Sequence, residues 1–287
     1  MNYFYSAMGD YESTTIEKFI DNNNNNTNIY SICGSILYTL PNVSVLIGLD
    51  ISGNLFYADN NIYNPIWKEI SIRNIRGNIT NISYCNKQIV CVTDKGFIFY
   101  TDNYLNPNWK IIRTDFNIKQ ANLYSYLMNN NNLFIQIQIV DVSGNVYRCT
   151  NLDMTMNVNR SWLSEPLWIH EMSNISSACL HYYIDTSNNL YNNGNIITSQ
   201  LFTQISNDQL PGDIRNTGMY GIYQGSIWYF NNNIWIPYPG PPLTCISYYN
   251  GLLYGLDVDG NIYYNRNNDS SKWYKVCGQL AQISINF

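Results

Sequence analysis

The chain has 287 residues and a mass of 33.2 kDa; 45% of it is apolar, 15% aromatic and only 12% charged, with a formal net charge of −5 and a pI near 4.9. Its 26 Tyr, 10 Phe and 7 Trp exclude a disordered chain, which combines few aromatics with high net charge. The acidic balance, with 15 Lys and Arg scattered along the sequence, argues against a nucleic-acid partner and against a basic membrane-surface patch.

In chain order, the N-terminus reads Met1-Asn2-Tyr3-Phe4-Tyr5 without a basic region or the apolar core of a leader, and no stretch approaches the roughly 18 apolar residues of a membrane span. Asn2 to Ser6 and Ile16 to Ile20 have the look of late strands of a repeat unit, and the Asn22–Asn26 run that follows reads as a loop. A full unit then begins at Leu46-Ile47-Gly48-Leu49-Asp50-Ile51-Ser52-Gly53-Asn54-Leu55-Phe56-Tyr57 and continues with Asn64-Pro65-Ile66-Trp67-Lys68-Glu69-Ile70. The same pattern returns around Thr93-Asp94-Lys95-Gly96 with Trp109, and around Asp141-Val142-Ser143-Gly144-Asn145 with Trp168 after an insertion that holds Trp162. It returns again around Asp185-Thr186-Ser187-Asn188-Asn189 with Phe202 in place of Trp, around Gln224-Gly225 with Trp235, and around Asp257-Val258-Asp259-Gly260-Asn261 with Trp273. A second Asn run, Asn129–Asn132, falls between strands and is also a loop.

Successive turn positions lie 35 to 48 residues apart, which is the period of propeller blades. Within each unit two short apolar runs flank a tight turn on Gly or Asn, residues that reach positive φ at little cost; these are strands b and c. The Trp-bearing run is an outer strand d, and a short run before each turn is an inner strand a: Asn81-Ile82-Ser83-Tyr84, Asn174-Ile175-Ser176, Cys245-Ile246-Ser247-Tyr248 and Gln282-Ile283-Ser284-Ile285. The fold class expected is therefore all-β, one propeller domain over residues 1–287, its ring closed by pairing of N- and C-terminal strands. Six turn-centred units plus a composite of both termini give seven blades; six blades with an N-terminal extension is the alternative, and a β-solenoid fits less well.

The apolar-Asp-x-x-Gly-x-apolar-Tyr hairpin, the Asn-Pro-x-x-Trp segment and the Ile-Ser inner strand together resemble the tectonin family, related in style to tachylectin-type propeller lectins. Residues 46–112 fit best, 245–285 fit well and 149–240 fit poorly. The resemblance implies a β-propeller that binds carbohydrate or serves as a protein-interaction module; it transfers no sugar-contact residue.

Little in the sequence points to catalysis. Asp50, Asp141, Asp185 and Asp257 recur at one repeat position, where each is expected to cap its own turn rather than contribute to a metal ring, since equivalent residues of different blades lie far apart. Asp257-Val258-Asp259-Gly260-Asn261 starts like a calcium loop but lacks the distal Glu. His170 and His181 have no His or Cys at zinc-ligand spacing, and no Gly-x-Ser-x-Gly elbow occurs. A glycosidase pair would have to come from Asp10, Glu12, Asp115, Glu165 or Glu171, with no spacing that selects two of them. The seven cysteines (Cys33, Cys85, Cys91, Cys149, Cys179, Cys245, Cys277) form no CxxC pair and are expected to be buried thiols; sequons such as Asn42-Val43-Ser44 follow from an Asn-rich composition.

The repeated Trp67, Trp109, Trp168, Trp235 and Trp273 are expected to anchor blade on blade. The non-repeated aromatics Trp228, Tyr229 and Tyr238, with Trp235 and the following Pro239-Gly240-Pro241-Pro242, form the candidate ligand site. No catalytic, metal or cofactor residue is assigned. The expected function is non-catalytic binding: a lectin-like propeller recognising glycans or, alternatively, a structural propeller for protein contacts such as a virion or host-interaction component. A soluble protein, cytoplasmic or virion-associated, is the matching expectation for location.

Overall fold

The structure, a computed structural model, describes residues 28–36, 44–50, 52–58, 65–85, 87–127, 133–149, 167–192, 194–198, 200–207, 219–231, 234–249, 252–266 and 272–283. Within them every regular element is a strand, and no helix is long and apolar enough to cross a membrane. Six successive groups of four strands form the blades. Blade 1 is β1 (Asn28–Ile36), β2 (Ser44–Asp50), β3 (Leu55–Ala58) and β4 (Lys68–Ile70). Blade 2 is β5 (Ile79–Cys85), β6 (Gln88–Thr93), β7 (Ile98–Thr101) and β8 (Lys110–Ile112). Blade 3 is β9 (Ile118–Leu127), β10 (Leu133–Asp141), β11 (Val146–Cys149) and β12 (Trp168–Met172), and blade 4 is β13 (Ile175–Cys179), β14 (Tyr182–Asp185), β15 (Leu190–Asn192) and β16 (Asn195–Thr198). Blade 5 is β17 (Gln204–Asn207), β18 (Met219–Tyr223), β19 (Ser226–Asn231) and β20 (Ile234–Tyr238); blade 6 is β21 (Cys245–Tyr249), β22 (Leu252–Leu256), β23 (Asn261–Arg266) and β24 (Trp273–Ile283).

Each blade is an antiparallel meander, and the core lies in slabs between neighbouring blades. One apolar cluster fills each junction: Ile47, Leu55 and Ile82 join blades 1 and 2, Val92, Leu123 and Ile139 join 2 and 3, and Val140, Val146 and Ile175 join 3 and 4. Ile184, Leu190 and Ile205 join 4 and 5, Ile222, Ile227 and Ile246 join 5 and 6, and Leu256, Ile262 and Leu46 join 6 back to 1. The last cluster closes the ring. Because each sheet is covered on both faces, its strands carry unbroken buried runs, as in Ile98–Thr101 and Leu252–Leu256, instead of an alternation.

Inner-strand polar side chains add hydrogen bonds across the same junctions. Asn81 Oδ1 accepts from Ala121 N at 3.0 Å and Ser83 Oγ from Leu123 N at 2.9 Å, linking blades 2 and 3. Gln204 Oε1 and Ser206 Oγ accept from Ile246 N and Tyr248 N, each at 2.8 Å, linking blades 5 and 6. These bonds satisfy inner-strand amides that face a neighbouring blade and that water does not reach. Two connectors also press an apolar plug into a glycine gap, Phe202 against Gly221 and Leu243 against Gly255.

Seven blades are not present; the ring has six. The seventh blade of the sequence reading rests on Gln282-Ile283-Ser284-Ile285 as the inner strand of a composite of both termini, and of these Ser284 and Ile285 lie outside the described residues. The end of β24 instead runs on from the outer strand of blade 6 and pairs in parallel with β1, in the register Asn28↔Gln279, Tyr30↔Ala281 and Ile32↔Ile283. This pairing merges blades 6 and 1 into one eight-stranded sheet, while the other blades remain four-stranded. The proposed N-terminal half of the composite, Asn2–Ser6 and Ile16–Ile20, lies outside the described residues.

Candidate functional site

In a four-stranded meander alternate connections emerge at opposite ends. The b–c turns and the blade-to-blade connectors therefore share one face of the ring. Backbone hydrogen bonds fasten them to each other: Asp94 N donates to Asn78 O at 2.8 Å, Ile118 N to Gly96 O at 3.3 Å, Val142 N to Asn117 O at 2.8 Å and Ile175 N to Gly144 O at 2.8 Å. Gly96 and Gly144 have φ of 74° and 83°, and a Cβ on either would lie 3.0–3.2 Å from the next connector, so glycine is required there for conformation and for proximity.

The repeated aspartates cap these turns, as the sequence indicates. Asp50 Oδ1 accepts from Ser52 N at 2.8 Å and Asn54 N at 2.7 Å, and its Oδ2 from Asn54 Nδ2 at 2.8 Å. Asp185 and Asp257 repeat the arrangement and each gains a Tyr hydroxyl, Tyr191 and Tyr263, at 3.2 Å. Partial burial disfavours these two carboxylates, but the hydrogen bonds outweigh it and hold both below the ordinary carboxylate value. Their lone pairs are engaged locally, and among the described residues no group of three His, Cys, Asp or Glu could hold a metal.

Each repeated Trp packs on the blade that precedes it: Trp109 on blade 1, Trp168 on blade 2, Trp235 on blade 4, Trp273 on blade 5 and Trp67 on blade 6. Trp109 Nε1 donates to Ser71 O at 2.8 Å and Trp273 Nε1 to Pro239 O at 2.9 Å. The proline-rich segment is thus the seat of Trp273, and a Cβ on Gly240 would lie 2.7 Å from that indole nitrogen.

The four candidate ligand residues do not converge. Trp228 and Tyr229 are adjacent in β19 and point to opposite faces of blade 5. Trp228 and Trp235 lie on the blade 4 side with Phe202 and Tyr223, with Phe202 and Trp235 centroids 4.3 Å apart. Tyr229 and Tyr238 lie on the blade 6 side with Tyr220, Tyr248 and Trp273. All four are half-buried.

Among the carboxylates raised for glycosidase chemistry, Asp10, Glu12 and Glu165 lie outside the described residues, Asp115 is exposed on a connector, and Glu171 sits at the blade 3–blade 4 junction. There Glu171 Oε1 pairs with Arg148 at 2.6 Å, while Oε2 accepts from Gln138 Nε2 at 2.9 Å and from the Tyr183 hydroxyl at 3.3 Å. Burial and the neighbouring Glu171 push Tyr183 up to about 12, and burial together with the Arg148 charge depresses His181 below the ordinary imidazole value. No second carboxylate joins this network among the described contacts, so its visible work is to tie two blades together. His170 is remote from it in role: its Nε2 lies 2.9 Å from Ser173 Oγ, which donates to Asn145 Oδ1 at 2.8 Å.

Sequence reasoning misses the outer rim of blades 3 to 5. Leu167, Ile169, Ile196, Ile234 and Ile236 are between 45% and 63% exposed there. Blades 1 and 2 mix exposed Ile66 and Ile111 with Lys68, Glu69 and Lys110 at the corresponding places, and blade 6 carries Lys272 and Lys275. The signal was available: Leu167 and Ile169 flank Trp168, and Ile234 and Ile236 flank Trp235, so a buried Trp turns its neighbours outward. Ile169 shares a face with Arg148, and Ile196 shares one with Tyr191. They stand on opposite lips of the blade 3–blade 4 junction.

No protein-family model and no curated protein matches the chain. Solved structures do match in fold. "YCF48 bound to D1 peptide" is 10% identical with a TM-score of 0.50, over 86% of this chain and 81% of that one. The yeast RCC1 (Prp20) structure with Kap60 is 8% identical with a TM-score of 0.51, over 82% and 69%. The β-propeller domain of Cps50 (Swd1) from Myceliophteria thermophila is 10% identical with a TM-score of 0.51, over 91% and 92%. The chain is a β-propeller.

Proposed function

We propose that this propeller acts by binding a polypeptide partner and performs no catalysis. One observation carries the reading: the outer strands of blades 3 to 5 expose Leu167, Ile169, Ile196, Ile234 and Ile236, and Ile66 and Ile111 continue this aliphatic surface onto blades 1 and 2, where it alternates with Lys68, Glu69 and Lys110. Outer strands have a free edge, and natural sheets guard such edges with charge or proline unless another chain is to be met there. A propeller of similar fold whose description includes a bound peptide supports the same direction. The tectonin-style repeat favours a glycan instead, held at Trp228, Tyr229, Trp235 and Tyr238, which divide between the two faces of blade 5.

Peptide phage display on the immobilised full chain, run beside a glycan array, separates the two. Enriched peptides that bind the protein and lose binding to the Ile169→Lys/Ile236→Lys variant support the protein-contact reading. Sugar-competable array binding that disappears in Trp235→Ala, with no peptide enriched, overturns it in favour of a lectin.

A further inference from the structure

The basic residues look scattered in the sequence, but the fold gathers them. Residues 68–119 hold eight Lys and Arg against four Asp and Glu, an excess of four positive charges in a chain whose net charge is −5. Four of these cations, Arg73, Arg76, Lys95 and Arg113, are exposed on the connector face of blade 2. Arg73 lies within, and Arg76 directly follows, the turn closed by Ile75 N donating to Ile72 O at 3.2 Å, between blades 1 and 2. Lys95 is in the b–c turn of blade 2, and its Cγ would lie 3.0 Å from a Cβ on Gly77. Arg113 is in the connector from blade 2 to blade 3.

The three segments are one continuous surface. Asn78 N donates to Asp94 Oδ1 at 3.1 Å and Asp94 N to Asn78 O at 2.8 Å, and on the other side Ile118 N donates to Gly96 O. Asp94 is held by Asn78, leaving exposed Asp115 as the other carboxylate of the patch. None of the four cations forms an ion pair with a described residue. Beside Lys95 and Gly96 stands Phe97, 41% exposed and the apolar side chain of the patch.

We infer that this patch docks an acidic segment of a partner polypeptide, with carboxylates on Arg73, Arg76, Lys95 and Arg113 and an apolar side chain on Phe97. The inference rests on the protein-binding reading above and deepens it. Arginine guanidinium groups match carboxylates with paired hydrogen bonds, and an unpaired cationic patch on an acidic protein steers an oppositely charged partner. A nucleic acid or an anionic membrane surface is the competing occupant, and the decamer and vesicles below distinguish them from the acidic polypeptide.

Fluorescence anisotropy with the full chain tests this, using a fluorescein-labelled deca-glutamate peptide with a central Phe, a fluorescein-labelled deoxythymidine decamer and phosphatidylserine-containing vesicles. The peptide is expected to bind at about 50 mM salt and to weaken steeply by about 300 mM. Arg73→Glu/Arg76→Glu is expected to lose about tenfold or more in affinity, while the distant Lys272→Glu/Lys275→Glu leaves binding unchanged. Matching thermal melts of both variants establish that the fold is intact. Equal loss in the two variants, no peptide binding, or tighter binding of the decamer or the vesicles overturns the inference. Display peptides that bind at the rim while deca-glutamate ignores blade 2 refute the patch and leave the protein-binding reading standing; failure in both experiments removes both.

Discussion

Gly221→Ala probes how the blades interlock. A Cβ at Gly221 would lie 2.6 Å from both Cδ1 and Cε1 of Phe202 and 3.4 Å from Cη2 of Trp235. Phe202 is 0% exposed and held in the cluster between blades 4 and 5, and its rigid ring cannot yield as a flexible chain end would. Replacing a strand glycine by alanine stabilises by up to about 1 kcal/mol through the unfolded chain. Overpacking a filled core costs about 1–3 kcal/mol, so the expected net loss is about 1–2 kcal/mol. For a chain of this size that lowers Tm by roughly 2–3 °C. Urea titration followed by Trp fluorescence should show a lower midpoint at unchanged slope. Phe202→Leu opens space in front of the glycine, costs about 1 kcal/mol alone, and should relieve the alanine, so the double variant falls short of the sum by about 1 kcal/mol. An unchanged midpoint in Gly221→Ala, or strict additivity, refutes the plug-and-gap account. Gly255→Ala should cost less, because its obstacle is the end of the flexible Leu243 side chain.

Asp185 and Asp257 titrate below the ordinary carboxylate value when folded, so their contribution is complete above the unfolded value near 3.9 and is lost as pH falls through the folded one; Asp257→Asn should flatten that acid limb in thermal melts recorded against pH. Trp109→Phe removes the bond to Ser71 O and should destabilise by about 1 kcal/mol more than Trp168→Phe, whose Nε1 has no partner among the described residues; urea midpoints decide. Arg148→Gln should raise the His181 pKa toward its ordinary value, followed by NMR, and should cost about 1–3 kcal/mol by leaving the largely buried Glu171 without its cation.

The repeat made most of the fold readable. Gly53, Gly96, Gly144, Asn188, Gly225 and Gly260, picked out as turn residues by type and spacing, all have positive φ. The Trp anchors and the Asp caps followed from their recurrence, because a residue that returns at the same place in every blade serves what every blade needs. Blade number was not readable in the same way. Gln282-Ile283-Ser284-Ile285 has the same local sequence whether it opens a blade or extends β24 along β1, and only long-range register distinguishes them. That the four aromatics divide into two pairs was hidden for a related reason: neighbours in sequence, such as Trp228 and Tyr229, are separated by the whole thickness of a sheet. The basic patch was not readable because its members come from a turn and two connectors that only the packing of consecutive blades brings together.

The seam between β24 and β1 also sets an order of events. Four of the six blades lie in sheets made of four consecutive strands and can form from local contacts as soon as their own residues exist. The merged sheet of blades 6 and 1 needs segments from opposite ends of the described chain, and so it bears the largest loop-closure cost. Ring completion is therefore expected late in folding, and until it occurs Leu46, Leu252 and Leu256 of the blade 6–blade 1 cluster lack the cover of the facing blade. Resistance to aggregation during synthesis then depends on how quickly the residues after Trp273 find Asn28–Ile32, and substitutions there should alter the yield of folded protein more than its eventual stability.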